Sequence, residues 1–355
     1  MPGSRSNENA PTQVLDGRAR LRQRAAVPIA MIGRCRTAAR LLIAATLVCV
    51  AAVAAAQTFP SRPIRIVMPF APGSGGDVMA RLIAKRLGEN LGQTVIADSR
   101  PGANGIIAAD AVAKASPDGH TMLFTTVSIQ SINANLFRKL PYDTTKDFAP
   151  VGVMGSTTYV LMARNSLPVQ SLGELVALAK AHPGNYSMAY TTSTPQLTEE
   201  LFKLTAGIEL IPVPYKGAPP VFLDLLADRL DTYLEALTSA LPQVRAGKVK
   251  ALAVTSRKRS TFLPDVPSIA ESGYPEFESI TWAAFFVPAR TPHDTITRLN
   301  VELGKVLGLP EVAEALLQNG FEVKTGTPEE LGRALGEDIQ KWERVFREAK
   351  LPKVD

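Results

Sequence analysis

Three short polar loops hold most of the residues in this chain that could do chemistry. The first reads Ala71-Pro72-Gly73-Ser74-Gly75-Gly76-Asp77 and joins an apolar run at 64–69 to an amphipathic helical stretch. Glycines let the backbone bend there without Cβ clashes, and the start of the helix presents unpaired N–H groups and a partial positive charge. A carboxylate or phosphate fits such a junction, although a glycine turn in this place also serves packing alone. The second loop, Thr126-Val127-Ser128 running on to Ser131, and the third, Thr191-Thr192-Ser193-Thr194, set hydroxyls just past apolar runs. Open α/β sheets bind ligands outside the C-terminal ends of their parallel strands. Each loop alone is ordinary cap chemistry; the three together favour a small-molecule cleft.

Signatures of catalysis are missing from the sequence. His120, His182 and His293 stand singly and read as surface or packing residues. There is no His-Glu-x-x-His, Gly-x-Ser-x-Gly or Walker lysine motif, and Gly73 to Gly76 misses the dinucleotide spacing. Asp77 and Glu235 are the acids the pattern sets near a cleft. A carboxylate pair can do acid–base work, yet Asp77 is more simply a helix-start residue. No metal and no cofactor is expected.

The elements that must position these loops alternate regularly. Strands are expected at 64–69, 94–98, 121–126, 159–163, 186–190, 209–213, 231–235, 249–255 and 281–287. Ser171 to Glu174, Ser268 to Glu271 and Thr327 to Glu330 each fit a capping box, and Thr291-Pro292-His293-Asp294 opens a helix by the same logic. In the first helix Val78, Leu82, Ile83, Leu87 and Leu91 share one stripe that should face a sheet. A second glycine turn, Pro101-Gly102-Ala103-Asn104-Gly105, precedes an alanine-rich helix; its glycines fit close helix–sheet packing better than ligand contact. The alternation argues for parallel sheets covered by helices, and the length for two lobes.

Residues 41–56 carry no charge, follow Arg34, Arg36 and Arg40, and end in Ala54-Ala55-Ala56. That is the pattern of a secretory signal peptide cleaved after Ala56, with Met31 as an alternative start; a membrane anchor needs a longer run. Of 39 basic and 33 acidic residues, eight arginines and two acids fall within residues 1–56, leaving 31 of each. The basic excess therefore belongs to the leader, and nothing points to nucleic acid or a membrane surface. Both cysteines, Cys35 and Cys49, also lie there, so the exported chain is expected to lack disulfides and thiols.

The stretch Pro60-Ser61-Arg62-Pro63-Ile64-Arg65-Ile66-Val67-Met68-Pro69-Phe70-Ala71-Pro72-Gly73 resembles the opening of the Bug family of extracytoplasmic solute receptors, the binding proteins of tripartite tricarboxylate transporters. The resemblance continues through Arg100 to Ala103, Ser116 to Gly119, Leu140 to Asp143, Asp147 to Pro150, Val213 to Gly217, Ala251 to Thr255 and Leu263 to Pro267, covering essentially residues 58–355. It implies an α/β, type II periplasmic-binding-protein fold whose two lobes clamp a small organic carboxylate at a hinge. Lobe one would comprise 58–158 plus 279–355 and lobe two 159–278. The protein would be a periplasmic monomer with two membrane permease subunits as partners. By the same resemblance Ala71, Pro72, Gly73, Ser74, Gly75, Gly76 and Asp77 grip the carboxylate. Thr126, Ser128, Thr191, Thr192, Ser193, Thr194, Tyr215, Lys216 and Gly217 line the other walls.

Two departures from that pattern bear on the ligand. A glycine-rich loop followed by histidine is replaced by Thr191 to Leu197, and an Asp-Asn pair by Glu235-Ala236. Beside the cleft, Glu235 would repel a dicarboxylate and suit a monocarboxylate or a ligand with an amine or hydroxyl at its far end. Otherwise it points to solvent or pairs with a Lys or Arg. Weak citrate binding follows from the first reading. The rival functions are a periplasmic α/β enzyme using Asp77 and Glu235 on an anionic substrate, and a sensor or scaffold without transport.

Overall fold

The computed structural model describes residues 59–355, so the expected leader, its cleavage site and both cysteines lie outside the described residues. The chain starts with β1 (Ile64–Met68), α1 (Gly75–Leu91), β2 (Val95–Ser99), α2 (Ile106–Ala113) and β3 (Thr121–Thr126). After a wide π turn (Ser128–Ile132) and one turn of helix, α3 (Asn133–Leu136), comes the long strand β4 (Phe148–Ala163). The middle of the chain is α4 (Leu172–Ala181), β5 (Ser187–Tyr190), α5 (Ser193–Ala206), β6 (Ile211–Pro214), α6 (Ala218–Leu226), β7 (Thr232–Ala236), α7 (Leu237–Arg245) and β8 (Lys250–Val254). It closes with β9 (Ile280–Pro288), α8 (His293–Leu307), α9 (Pro310–Gln318), β10 (Glu322–Val323) and α10 (Pro328–Glu348).

Strand order is β2-β1-β3-β9-β4-β7-β5-β6, with β8 and β10 also pairing β4. At each end the strands run parallel, β1 with β2 and β3, and β5 with β6 and β7. In the middle they do not: β4 is antiparallel to β7, β8 and β9, and β9 is antiparallel to β3. This corrects the expectation of parallel sheets throughout. One strand carries the chain from the first half to the second and another brings it back, so the two crossing strands meet in opposite directions. The expected strand at 159–163 is only the end of β4. Its earlier part holds Pro150, Gly152 and Gly155, with register shifts at both glycines, and so lacks an unbroken β-forming run.

Two lobes follow from where the side chains pack. Around β1, β3 and β9 one apolar layer is built on Ile64, Ile83, Leu87 and Leu303, and the opposite layer on Val67, Leu123 and Phe286. Around β5 and β7 the layers are built on Met188, Leu201 and Phe277, and on Val160, Tyr233 and Leu225. The last helix joins them: Leu331 and Leu335 pack in the first lobe, Trp342, Val345 and Phe346 in the second.

The helix starts were mostly legible. Thr327 and Glu330 form the full capping box, and Ser171 caps α4 by accepting from the Glu174 N–H at 3.2 Å. Ser268 and Glu271 make both box bonds, 2.9 and 3.0 Å, but only turns follow, because Gly273 at φ +106° and Pro275 end the segment. Pro292, not Thr291, caps α8; the Thr291 hydroxyl donates to the Pro288 carbonyl. In α1 the buried stripe is Met79, Ala80, Ile83, Ala84, Leu87 and Leu91, while Val78 is 50% exposed. The helix is rotated so that its small alanines approach the sheet and Val78 turns outward.

Candidate functional site

The first loop is anchored by its acid. Gly73, at φ +81°, donates its N–H to Asp77 Oδ2 at 2.9 Å, and Asp77 is ion-paired with Arg81 at 2.9 Å. The Arg81 guanidinium, then the Gly73 N–H, holds the Asp77 carboxyl below its ordinary range. Asp77 is thus occupied within its own loop. Ser74 donates to the Ala71 carbonyl at 2.7 Å and caps α1 by accepting from the Asp77 N–H. What remains free is backbone: the N–H groups of Gly75 and Gly76 open the helix and find no acceptor among the described residues. Gly76 is also fixed by packing, since a Cβ there would lie 2.5 Å from the Phe70 ring. Gly105 is of the packing kind too, with a Cβ 2.4 Å from Ile129.

Parallel pairing of β1 with β3 sets the second loop beside the first. Thr126 and Ser128 share a hydroxyl bond at 2.9 Å, and Ser131 is buried with its hydroxyl on the Val127 carbonyl. The π turn buries Gln130, whose two amide atoms have no partner among the described residues. Sequence reasoning missed it, because one polar residue in an apolar run carries no periodic signal. The turn type is itself informative, since π turns cluster at functional sites.

The second lobe contributes three neighbouring strand ends. Thr191, after β5, donates to Glu235 Oε2 at 3.1 Å; Tyr233 donates to the same oxygen, and the Ala236 N–H to Oε1 at 2.9 Å. Glu235 is 7% exposed and forms no ion pair among the described residues, which corrects the alternative that it points to solvent or pairs with a Lys or Arg. The Tyr215 hydroxyl donates to Asp224 at 2.6 Å, while Lys216 is exposed and Gly217 sits at φ +149°. Thr192 caps α5 through its backbone without a side-chain bond, Ser193 begins the helix, and Thr194 is buried beside Tyr159.

Tyr159 was not singled out by sequence reasoning. It lies in β4 opposite Ala236, and its hydroxyl meets Thr281 Oγ1 of β9 at 2.5 Å. Both crossing strands therefore contribute to the floor between the two groups of loops. Burial pushes the Tyr159 hydroxyl up to about 12, which keeps it protonated. A tyrosine in an apolar strand reads as core, so nothing local distinguished it. No cluster of metal-ligating side chains occurs among the described residues, and none of their helices is long and apolar enough to cross a membrane.

The sequence matches the tripartite tricarboxylate transporter family receptor over residues 79–351. It is 37% identical to protein BugT of Bordetella pertussis over 302 residues, 84% of this chain and 93% of that protein. Among solved structures it is similar to Rpa4515 of R. palustris with adipate (TM-score 0.69, 36% identity, 83% of this chain and all of the other). It is also similar to MatC of Rhodopseudomonas palustris with bound malate (TM-score 0.65, 32% identity, 81% and 99% coverage). The fold shared with these proteins is the two-lobed α/β binding-protein fold, and the chain belongs to the tripartite tricarboxylate transporter receptor family.

Proposed function

We propose that this chain is a periplasmic receptor that captures a small organic carboxylate between its lobes and delivers it to a tripartite permease. The observation that carries this reading is the pair of unpartnered N–H groups at Gly75 and Gly76, at the start of a 17-residue helix and beside the hydroxyls of Thr126 and Ser128. Such donors hold an anion without a fixed counter-charge, which suits capture followed by release. Relatives solved with adipate and with malate support the ligand class. With Asp77 paired to Arg81 and Glu235 held by neutral donors, the two acids serve structure and recognition, and an acid–base role has no support.

Lobe one comprises 58–158 plus 279–355 and lobe two 159–278, and the protein works as a monomer. Its leader is removed on export, and two membrane subunits receive the ligand. The lobes close about β4 and β9, and ligand shifts the equilibrium by its preference for the closed form.

Gly75→Pro tests the anion site without disturbing the helix. Proline is favoured at the first helical position, and Ser74 already has the extended conformation (φ −72°, ψ 161°) that a residue before proline prefers. The substitution removes a free N–H and sets a Cβ 3.1 Å from Asn319 Oδ1, a contact relieved by a shift of a few tenths of an ångström in that side chain. A hydrogen bond to a charged acceptor contributes about 1.5–3 kcal/mol, so calorimetry against a panel of mono-, di- and amino-carboxylates should show a loss of roughly 10- to 150-fold. Unchanged affinity in the folded variant would overturn the placement.

A further inference from the structure

We propose that the Glu235 carboxylate, with the Thr191 hydroxyl bound to it, forms an acceptor patch in the second lobe's wall, so that the captured acid carries a donor, an ammonium or a hydroxyl, at the end remote from its carboxylate. This rests on the receptor reading above and adds the polarity of the ligand to it.

Glu235 is the origin of that polarity. Its backbone is fixed by pairing with Val160 in β4, and its side chain is 7% exposed. An ionised carboxylate accepts and never donates, at about four sites on two oxygens. Thr191 and Tyr233 occupy Oε2 and the Ala236 N–H occupies one site on Oε1, so a further site on Oε1 is open. The consequence for the neighbours is directional. A free threonine hydroxyl can turn its hydrogen either way, but here Thr191 has committed its hydrogen to Glu235. Its remaining lone pairs are what it can show a ligand. Tyr233 is fully buried, and burial followed by the Glu235 bond raises its hydroxyl well above the ordinary range, so its single hydrogen stays on that bond. Ala236, next in the chain, has no side-chain donor.

In the first lobe the free N–H groups of Gly75 and Gly76 only donate. A ligand between two such walls is matched when it is itself polarised, carboxylate toward the glycines and donor toward Glu235. A diacid would set a second anion against a buried carboxylate, which low local dielectric makes costly. Lys216, exposed on the loop after β6, is the cation whose approach to Glu235 would cancel this polarity.

Calorimetry on the exported protein decides the matter, with matched sets of amino, hydroxy, unsubstituted and dicarboxylic acids from three to six carbons; γ-aminobutyrate, γ-hydroxybutyrate, butyrate and glutarate form one set. The amino or hydroxy acid should bind at least about 10-fold tighter than its unsubstituted partner, and the diacid no tighter than that partner. Glu235→Gln, nearly isosteric but able to donate, should abolish the preference and improve diacid binding by about 10-fold. Glu209→Gln neutralises an exposed acid just before β6, at the other end of that strand from the loops, and should keep the preference, which separates the polarity of Glu235 from general damage. Tight diacid binding by the unmodified protein, unchanged in Glu235→Gln, overturns the inference and leaves the carboxylate receptor standing. Failure of every acid to bind overturns both.

Discussion

Glu199 shows how a single buried group can set a response of the whole protein to pH. It lies on α5 with no exposed surface, and neither carboxylate oxygen meets a partner among the described residues. Burial, opposed by Lys203 and reinforced by Glu200, raises its carboxyl from the ordinary 4.5 to about 8. The folded state therefore binds a proton that the unfolded chain releases above the ordinary value. Stability must fall as pH climbs from about 4.5 through 8 and then level off, by an amount on the order of a few kcal/mol. Glu199→Gln should remove that slope and melt higher at pH 8 than the unmodified protein. Parallel melting profiles across this range would show that the carboxyl is solvated after all. At this scale the sequence was half legible. Hydroxyls clustered after apolar runs marked Thr126, Ser128 and Thr191, because position relative to a strand end is itself a signal. Tyr159, Tyr233, Gln130 and Thr281 sit inside elements, where only the fold reveals what they face.

Elements were easier to read than their pairing. Nearly every expected strand was found within two residues of its place, because short apolar runs between helical patterns leave few alternatives. The first part of β4 was not, since glycines and a proline interrupt it, and its partners are far away in sequence. The last helix is the other element whose role appears only in three dimensions. Its strong amphipathic pattern predicts a buried stripe but cannot say that the stripe is shared between two cores. Trp342 is fully buried in the second of these. Trp342→Ala should cost about 3–5 kcal/mol in a denaturant titration. The same change should loosen the second lobe first, so protease nicking is expected between β5 and β8 before it reaches β1 to β3. Equal protection of both regions would mean that the helix is not what ties them together.

On the scale of the whole molecule, the proposed export would fix what the working protein contains. Intact-mass analysis of the periplasmic form should give a chain starting at Gln57 with neither Cys35 nor Cys49, and a retained cysteine or a lipid adduct would contradict the leader reading. A chain starting at Gln57 would have no disulfide to close it and would depend on its two cores, and the order in which they can form follows from the strand layout. The lobe that opens with β1 is completed by β9, α8 and α9, so Phe285, Leu299 and Val312 must travel some two hundred residues along the chain to reach Ile64 and Ile83. The middle lobe is built largely from neighbours in sequence and waits only for Trp342, Val345 and Phe346 of the last helix. During synthesis, then, both cores stay incomplete until late segments emerge, and a chain long held open in this way is one that a translocation machinery can thread before it folds.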